Sequence, residues 1–322
     1  FGTAFGNAKL NRNPPSGYEF VKRNRHKLKT IIWFDPSDST GTTAFWILPY
    51  VDLYAKNQLL KNRELYTKQF YGMRIYSDYY HKHSGIMDHQ ETFREPAKAE
   101  DLDKLAVSWN LGLGDWFGKF RALGQIGRVI EIFFSEPKYR VVPTPYKKSH
   151  KQIDVSFRGS INYKRASVAY QRIKTREKLA ELASNSPYKI IYDGKIPYEQ
   201  YRAEMRRTRI VISPFGLGEI NAGRDFECFV DGAMLFKPDM SHMETWPDYF
   251  EPGVTYVPHA WDFSNFLDKL RCLLDNPYDC QEIADAGQKR YLASITEGGG
   301  ETFARHFSKL IHTAIENSEN RV

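Results

Sequence analysis

Two glutamates and an arginine follow a pair of glycines in the second half of the sequence. The glycines are Gly216 and Gly218, the glutamates are Glu219 and Glu227, and Arg224 lies between the glutamates. A glycine turn at the start of a helix leaves backbone N–H groups unpaired, and the helix dipole favours negative charge there. An arginine fork suits a diphosphate, and carboxylates accept hydrogen bonds from a diol. The pattern predicts a binding site for a phosphorylated, hydroxyl-rich ligand; the alternative is a surface helix with ordinary charges.

The apolar pattern predicts the elements that position these side chains. Residues 210–212 and 233–236 are apolar runs typical of buried strands, and residues 219–227 are predicted to form a helix between them. Strand, glycine turn, helix and strand make one βαβ unit, whose strands are parallel. Asn221 lies in the segment between turn and helix, and Lys237 follows the second strand. Both are therefore further candidates to contact the ligand.

A second strand–glycine–helix segment lies earlier in the chain. The predicted strand 153–157 is followed by Arg158 and Gly159, and a basic helix containing Lys164 and Arg165 comes next. This turn also suits a phosphate, and its cations are candidates to share the charge of a diphosphate. Because strands and helices alternate regularly from here on, the second half is predicted to form a doubly wound parallel sheet.

The first half offers a candidate general base. Residues 30–34 are predicted to form a buried strand, and the turn after it carries Asp35 and Asp38. The carboxyl edge of a Rossmann-like sheet faces the ligand, so Asp38 is a candidate to take a proton from an acceptor hydroxyl. Two alternatives stay open. The aspartates cap a turn, or they bind a metal as a D-x-x-D pair.

Two other polar groups in the first half have competing interpretations. Lys56 is expected on a solvated helix, with contact to a charged acceptor as the alternative. Three alternatives apply to His81 and His83. On a strand they would share one face and could bind a metal ion, or they belong to a loop that lines the acceptor cleft, or they lie on plain surface.

Composition narrows the class of protein. The chain has 322 residues, of which 41% are hydrophobic and 26% are charged, and this predicts a globular protein with two domains or one large one. The net charge of +7 suits anionic ligands such as nucleotide diphosphates, or an acidic membrane surface. The basic residues are spread out without a nucleic-acid-binding motif, which argues against nucleic acid as a partner.

The cysteines and the ends of the chain give further expectations. Cys228, Cys272 and Cys280 form no CxxC pair, so neither a zinc site nor a disulfide framework is predicted, and a reduced, cytoplasmic location is favoured. No apolar run reaches 18 residues, so no membrane span is expected. The chain begins at Phe1, which suits a piece of a larger protein.

A proline-containing, basic stretch at 142–151 predicts the domain boundary. We therefore expect a first domain over 1–148, a second over 149–300 and a C-terminal helix over 301–322. Gly298, Gly299 and Gly300 are expected to break the chain before that helix. In the first domain, Gly112 and Gly114 are expected to follow a strand, and residues 130–134 to form its last strand.

The pattern Glu219-x7-Glu227, with Gly218 before it and Arg224 inside it, resembles the donor-binding signature of GT-B glycosyltransferases. The sequence that follows is similar to the spore-maturation-protein-like branch of group 1 glycosyltransferases. The glycine-arginine-glutamate pattern also resembles exostosin-like transferases. The resemblance covers roughly residues 150–315. Segments that carry it are 232–235, 249–253, 256–257 and 261–262.

The resemblance implies an α/β fold of GT-B architecture, with two Rossmann-like domains facing across a cleft. It implies transfer of a hexose or pentose from a nucleotide-diphosphate sugar to the hydroxyl of a glycan or other acceptor, with no essential metal and no other cofactor. It places Arg224 on the diphosphate, Glu227 on the ribose and Glu219 near the donor sugar. It also implies that the C-terminal helix packs back on the first domain.

The stereochemistry and the class of activity stay open at this point. If the anomeric configuration inverts, Asp38 is the expected base; if it is retained, Glu219 is expected to stabilise the sugar cation. The alternatives are a nucleotide-sugar epimerase or a phosphorylase of the same fold, or a non-catalytic module that binds nucleotide sugars.

Overall fold

The computed structural model describes residues 16–88, 93–110, 143–147, 150–221, 223–295 and 297–321. The loop expected at Gly112 and Gly114 and the strand expected at 130–134 lie outside these ranges. The strands are β1 (Ile32–Asp35), β2 (Leu53–Lys56), β3 (Gln58–Leu60), β4 (Leu105–Val107), β5 (Ile153–Ser156), β6 (Ile190–Ile191), β7 (Thr208–Ile212), β8 (Met234–Pro238), β9 (Met243–Thr245) and β10 (Val257–His259). The helices are α1 (Ser16–Asn24), α2 (Ile75–Ser84), α3 (Ala166–Ser184), α4 (Tyr198–Arg206), α5 (Arg224–Val230), α6 (Phe266–Asp275), α7 (Pro277–Ile295) and α8 (Glu297–Glu319).

The first sheet is parallel and has the order β1-β2-β4. Its middle strand β2 is completely buried, and its side chains alternate between two apolar layers, as the period of a strand requires. Tyr54 belongs to the cluster that contains Ile47 and Leu105, whereas Leu53 and Ala55 point to the opposite face. Both faces of this sheet are therefore covered.

The second sheet is also parallel and has the order β10-β8-β7-β5-β6. The centres of β7 (residues 210–212) and β8 (residues 234–236) are apolar because α/β crossovers cover both faces of a parallel sheet. Two clusters form its core, one around Phe226 and Tyr249 and the other around Ile210, Phe236 and Leu270. The predicted α/β fold built on parallel sheets is confirmed, and two such sheets agree with the GT-B architecture.

Two elements connect the halves of the chain. Strands β3 and β9 pair antiparallel, with Leu59 opposite Glu244. The last helix, α8, returns to the first sheet, where Leu310 and Ala314 pack on Leu53 and Ala55. Residues far apart in sequence therefore share one core.

The helix α8 begins at Glu297, so the expected chain break at Gly298, Gly299 and Gly300 is wrong. The physical reason is close packing at Gly299, where an added Cβ would clash with the carbonyl oxygen of Ser294 at the end of α7. Tertiary contact thus overrides the low helix propensity of glycine. The domain limits 1–148, 149–300 and 301–322 stay a prediction.

Candidate functional site

The strand order of the second sheet places a ligand crevice between β5 and β7. The chain runs from β5 outward to β6, then crosses back to β7 and continues to β8 and β10 on the other side. Open α/β sheets bind ligands outside the carboxyl ends of the strands at this reversal of direction. The turns that leave these two ends are residues 157–165 and 213–223, and both were predicted to hold phosphate.

Arg224, the first residue of α5, reaches back from the second turn to the first. Its Nη2 donates to the carbonyl oxygen of Arg158, and its Nε lies 3.4 Å from the hydroxyl of Tyr201. The guanidinium carbon lies 5.7 Å from the ring centre of Phe157. Its Nη1 is buried and has no hydrogen-bond partner among the described residues. One donor of the fork is therefore unused at the crevice.

Arg172 on α3 reaches the same turn. Its Nη1 donates to the carbonyl oxygen of Ser160 over 2.9 Å, and its guanidinium carbon lies 4.7 Å from the ring centre of Tyr163. Its Nε is buried and unpaired within the described chain. Burial, and then the nearby charge of Arg224, lower the pKa of Arg172. Within the described ranges, neither Arg172 nor Arg224 forms an ion pair with a carboxylate, although the charge of Arg224 acts on the nearby Glu227.

Arg165, immediately before α3, adds a third guanidinium to this region. Its Nη1 donates to the carbonyl oxygen of Gly72 over 3.3 Å and lies 3.5 Å from the carboxylate of Asp88. Its Nε is a third buried nitrogen without a partner in the described part of the chain. Burial and the charge of Arg74 lower the pKa of Arg165. Its charge is therefore only partly balanced by Asp88.

The amino end of α3 itself is already capped. The amide and hydroxyl of Ser167 donate to the carboxylate of Asp88 over 2.9 and 3.0 Å. Asp88 thus occupies the position that the glycine turn at Gly159 suggested for a phosphate. The ligand-facing donors of this turn are therefore side chains rather than helix amides.

Glu227 lies on α5, one turn after Arg224, and is 3% exposed. Its Oε1 accepts a hydrogen bond of 2.8 Å from the hydroxyl of Tyr198. Burial raises the pKa of Glu227, although Tyr198 and Arg202 act in the opposite direction. The carboxylate is therefore held by Tyr198 and lies within the influence of the charges of Arg202 and Arg224; its contact with a ligand stays a prediction.

A buried ion pair between Lys237 and Asp225 stabilises the turn between β7 and α5. The ammonium of Lys237 lies 2.5 Å from Asp225 and donates over 2.7 Å to the carbonyl oxygen of Glu219. Asp225 also accepts from the hydroxyl of Ser213 over 2.5 Å and from the amide of Asn221 over 2.8 Å. Lys237 and Asn221, both predicted to contact the ligand, therefore take part in holding the turn.

Glu219 lies where the two halves meet. We call this contact zone, formed by residues 36–44, 213–221 and 223, the seam. The carboxylate of Glu219 is fully buried and accepts from the amide and the hydroxyl of Thr40 over 3.1 and 2.6 Å. Burial opposes its charge, but His242 and Thr40 together lower the pKa of Glu219. In this structure the carboxylate faces the first half rather than an open crevice.

The two glycines of the seam have different surroundings. A Cβ on Gly218 would lie 2.8 Å from the amide nitrogen of Ser39, whereas a Cβ on Gly216 would meet nothing closer than 4.0 Å. The turn is also fixed from the first half, because Arg74 donates to the carbonyl oxygen of Leu217 over 2.5 Å and Tyr76 donates to that of Gly216 over 2.9 Å. Gly218 therefore permits close contact of the halves.

The side chains of Arg158 and Lys164, and Gly159 between them, have other surroundings than a ligand in this structure. Arg158 forms a two-pronged contact with Glu204, at 3.0 Å from Nε and 2.7 Å from Nη2. Lys164 is exposed. A Cβ on Gly159 would lie 2.6 Å from the ring of Phe157, so the glycine is needed for local packing.

Asp38 is exposed on the turn after β1. Lys56 holds this turn by donating to the carbonyl oxygen of Ser37 over 2.7 Å, and its ammonium lies 3.5 Å from Asp35. Lys56 lies on β2 and is fully buried, so the expected solvated helix is wrong. Apolar clusters cover both faces of this sheet, so its middle strand leaves no exposed position for a side chain.

The strand that was one of three alternatives for the histidine pair is wrong, whereas plain surface agrees with the exposed His83. His81 and His83 lie in the last turns of α2, where alternate residues do not share a face. Within the described chain, no group of three or more His, Cys, Asp or Glu side chains is arranged to hold a metal ion. No helix in the described ranges has the length and apolar character needed to cross a membrane.

Sequence reasoning missed three residues that the structure brings to this region: Arg172, Thr40 and Asp88. Arg172 lies inside a helix rich in other cations, and so nothing in its local pattern distinguished it. The other two contact the site across long sequence distances, such as the 179 residues between Thr40 and Glu219. Contacts of this kind leave no local signal.

The comparisons with known proteins concern the same half of the chain. Residues 144–297 match the model of a family described as glycosyl transferase-like. No curated protein matches the chain. A solved structure, the C-terminal domain of a glycosyl transferase group 1 family protein from Francisella tularensis, is 13% identical, with 48% of this chain and 97% of that chain covered and a TM-score of 0.33. The family match supports general glycosyl transfer.

Proposed function

We propose that this protein transfers a sugar from a nucleotide-diphosphate sugar to an acceptor hydroxyl, and that the crevice between β5 and β7 holds the donor. The observation that carries the proposal is the pair of guanidinium groups of Arg172 and Arg224. Both reach one turn at the strand reversal, both keep a buried donor unpaired, and neither is paired with a carboxylate within the described chain. A desolvated cation without a countercharge is costly, and a bound diphosphate would remove that cost.

The chemistry follows from this placement. When the bond between the sugar and the diphosphate breaks, negative charge grows on the leaving group. Fixed guanidinium groups stabilise that charge without having to reorganise. Glu227 is proposed to accept hydrogen bonds from the ribose hydroxyls, and Glu219, which is buried against Thr40 in this structure, is proposed to act near the donor sugar. Asp38 is the proposed base if the configuration inverts, and Glu219 stabilises the sugar cation if it is retained.

Other features of the proposal come from the sequence. The donor is the only small molecule that the reaction needs, with no essential metal, and the acceptor is a glycan or another hydroxyl compound. The further donor contacts are proposed for Arg158, Gly159, Lys164, Gly216, Gly218, Asn221 and Lys237. A cytoplasmic location and contact with an acidic membrane surface are proposed on composition alone.

A thermal-shift screen against uridine-, guanosine- and adenosine-diphosphate sugars tests the donor site. A ligand that binds only the folded state adds about 2.7 kcal/mol at 100 times its Kd, so a matching donor raises the melting temperature. In Arg224→Ala, loss of a charged hydrogen bond is expected to weaken that donor about 10- to 100-fold, measured by titration calorimetry.

Arg271→Ala is the matched control, because Arg271 is exposed on α6 and lies 3.7 Å from Asp268 of the same helix. This variant is expected to bind the donor like the unchanged protein. Equal affinity in Arg224→Ala and Arg271→Ala would contradict the donor site. Turnover of the donor without any acceptor would favour an epimerase. Turnover that depends on added phosphate would favour a phosphorylase, and donor binding without turnover would favour a non-catalytic module.

A further inference from the structure

The helix α1 and the turn after it form a basic surface outside the proposed donor site. Residues 16–29 contain five Lys or Arg residues and one Glu, so with neutral histidine they carry a net charge of +4, against +7 for the whole chain. Arg25 is bound within the structure, where its Nη2 donates over 2.9 Å to the buried carboxylate of Asp52. We call residues 20–29 the basic patch. The other four cations of this patch are exposed: Lys22, Arg23, Lys27 and Lys29.

Few carboxylates balance the exposed cations. Glu19 lies 3.9 Å from Arg23, and Glu319 on α8 lies 3.8 Å from Lys29. These four side chains are 45–80% exposed, and ion pairs between exposed groups are weak. The other two exposed cations form no ion pair within the described part of the chain. The basic patch therefore keeps most of its positive charge for a partner.

Two apolar side chains are exposed among these cations. Phe20 is 58% exposed and Leu28 is 43% exposed. Phe20 precedes Arg23 by three residues, so the two side chains lie on the same side of α1. A single exposed apolar residue is ordinary on a protein surface, but these two flank exposed cations within one short segment. Cations next to apolar side chains suit the boundary between the headgroups and the acyl chains of an anionic membrane.

The opposite side of α1 packs on the first half of the chain. The ring of Tyr18 meets those of Trp46 and Tyr50 edge to face, with 5.3 and 5.4 Å between the ring centres. Val21 packs against the same apolar cluster as these rings. Arg25 fixes the following turn, because its Nη1 donates over 2.6 Å to the carbonyl oxygen of Leu28. The exposed side chains of the basic patch therefore project from an element that the fold holds in place.

The basic patch and the seam lie at opposite ends of β1. The strand begins at Ile32, shortly after the patch, and its carboxyl end leads into residues 36–44 of the seam. No residue of the patch contributes to the crevice between β5 and β7 as described above. Substitutions in the patch are therefore expected to leave donor binding unchanged.

We propose that the basic patch docks this protein on an anionic membrane, with its four exposed cations at the lipid phosphates and with Phe20 and Leu28 inserted between the headgroups. The inference rests on the membrane contact within the proposed function, to which it gives a place on the molecule, and it is independent of the donor site. Nucleic acid also attracts cations, but its interfaces are polar and offer no apolar layer for an aliphatic side chain such as Leu28. The membrane is therefore the partner that uses both the charges and the apolar groups of the patch.

Sedimentation of the full chain with lipid vesicles tests the inference. The unchanged protein is expected to bind vesicles made of equal amounts of phosphatidylcholine and phosphatidylglycerol, and not vesicles of phosphatidylcholine alone. Added salt is expected to weaken the binding, because it screens exposed charges. Each Lys or Arg near an acidic surface strengthens binding by about fivefold, so the variant with Lys22→Gln, Arg23→Gln and Lys27→Gln is expected to bind about 100-fold more weakly. Phe20→Ala is expected to weaken binding by about tenfold, because its ring is no longer removed from water.

The matched control removes the same charge at exposed positions outside the patch. Arg271→Gln, Lys289→Gln and Lys309→Gln, combined in one variant, lie on α6, α7 and α8 and are expected to weaken vesicle binding by less than about threefold. Tyr278→Ala, at a site on α7 that is 72% exposed, is the control for loss of an exposed ring. Denaturant titration of each variant confirms that it is folded.

Equal losses of vesicle binding in the patch variant and its control would overturn the basic patch as the docking surface, while the membrane contact itself would stand. Unchanged vesicle binding in Phe20→Ala, with tighter binding to a single-stranded RNA than to vesicles, would identify nucleic acid as the partner instead. Failure of the unchanged protein to bind anionic vesicles would contradict both the inference and the membrane contact in the proposed function. The donor site would be unaffected by that result, because the thermal-shift screen tests it separately.

Discussion

The buried cations near the seam are of two kinds. Lys56 and Lys237 each lie against a carboxylate of the same half, and their ammonium groups also hold backbone carbonyls. Arg172 and Arg224 hold backbone carbonyls too, but they have no carboxylate partner within the described chain. Because an unpaired buried charge is costly, the first kind stabilises the turns and the second kind supports the proposed site for an anionic ligand.

His259 allows a prediction about pH at the scale of one residue. The ring is 1% exposed and packs against Phe236 and Phe266, and this burial lowers its pKa to about 4. Because the unfolded chain binds a proton near pH 6.5, the neutral ring contributes stability above that pH and the contribution is lost as pH falls towards 4. Between pH 7 and pH 5 this single group is expected to lower the free energy of unfolding by about 2 kcal/mol.

The measurement is urea unfolding at both pH values in the unchanged protein and in His259→Phe, which keeps a ring among the neighbouring aromatic side chains. The variant is expected to lose about 2 kcal/mol less than the unchanged protein between pH 7 and pH 5. His312→Gln, at an exposed site, should keep the full dependence. An identical pH dependence in all three proteins would show that His259 is not buried in its neutral form.

At the scale of elements, the turn between β7 and α5 depends on Gly218. A Cβ there would lie 2.8 Å from the amide nitrogen of Ser39 and 3.3 Å from Nε2 of Gln58. Since the first of these atoms is backbone, the seam would have to open. Gly218→Ala is expected to lower the free energy of unfolding by about 1–3 kcal/mol, measured by denaturant titration.

Gly216→Ala tests the same turn two residues earlier, where a Cβ would meet no atom closer than 4.0 Å. This control is expected to change stability by less than about 0.5 kcal/mol, as ordinary tolerated substitutions do. Equal losses in the two variants would mean that the backbone of the turn, rather than contact with Ser39, limits the substitution.

Local pattern was enough to predict the central unit of the second sheet. Residues 210–212 and 234–236 are uniformly apolar because parallel strands are covered on both faces, and this made β7 and β8 recognisable. The same reasoning failed for Lys56, whose strand contains a charge. Its partner Asp35 lies on the neighbouring strand, and the contact between Thr40 and Glu219 spans 179 residues. Pairings of this kind depend on tertiary structure, which periodicity does not report.

At the scale of the molecule, the last helix stabilises the first sheet. Leu310 on α8 is 4% exposed and packs with Ala314 against Leu53 and Ala55 of β2. Leu310→Ala is expected to lower the free energy of unfolding by about 2–5 kcal/mol, because it leaves a cavity in this layer.

Leu28→Ala is the matched control, since Leu28 is 43% exposed. It is expected to have little effect in the same denaturant titration. A loss below about 1 kcal/mol in Leu310→Ala would mean that α8 is only loosely attached to the sheet.

The position of α8 also bears on how the protein is made. Asn317 on this helix donates to the carbonyl oxygen of Asp52, a residue 265 positions earlier, next to the buried strand β2. During synthesis, β2 leaves the ribosome long before α8 has been made. Until then Leu53 and Ala55 are exposed to water and to other chains. Such late closure slows folding and favours a holding chaperone during synthesis, with the first sheet completed only after residues 297–319 have been released.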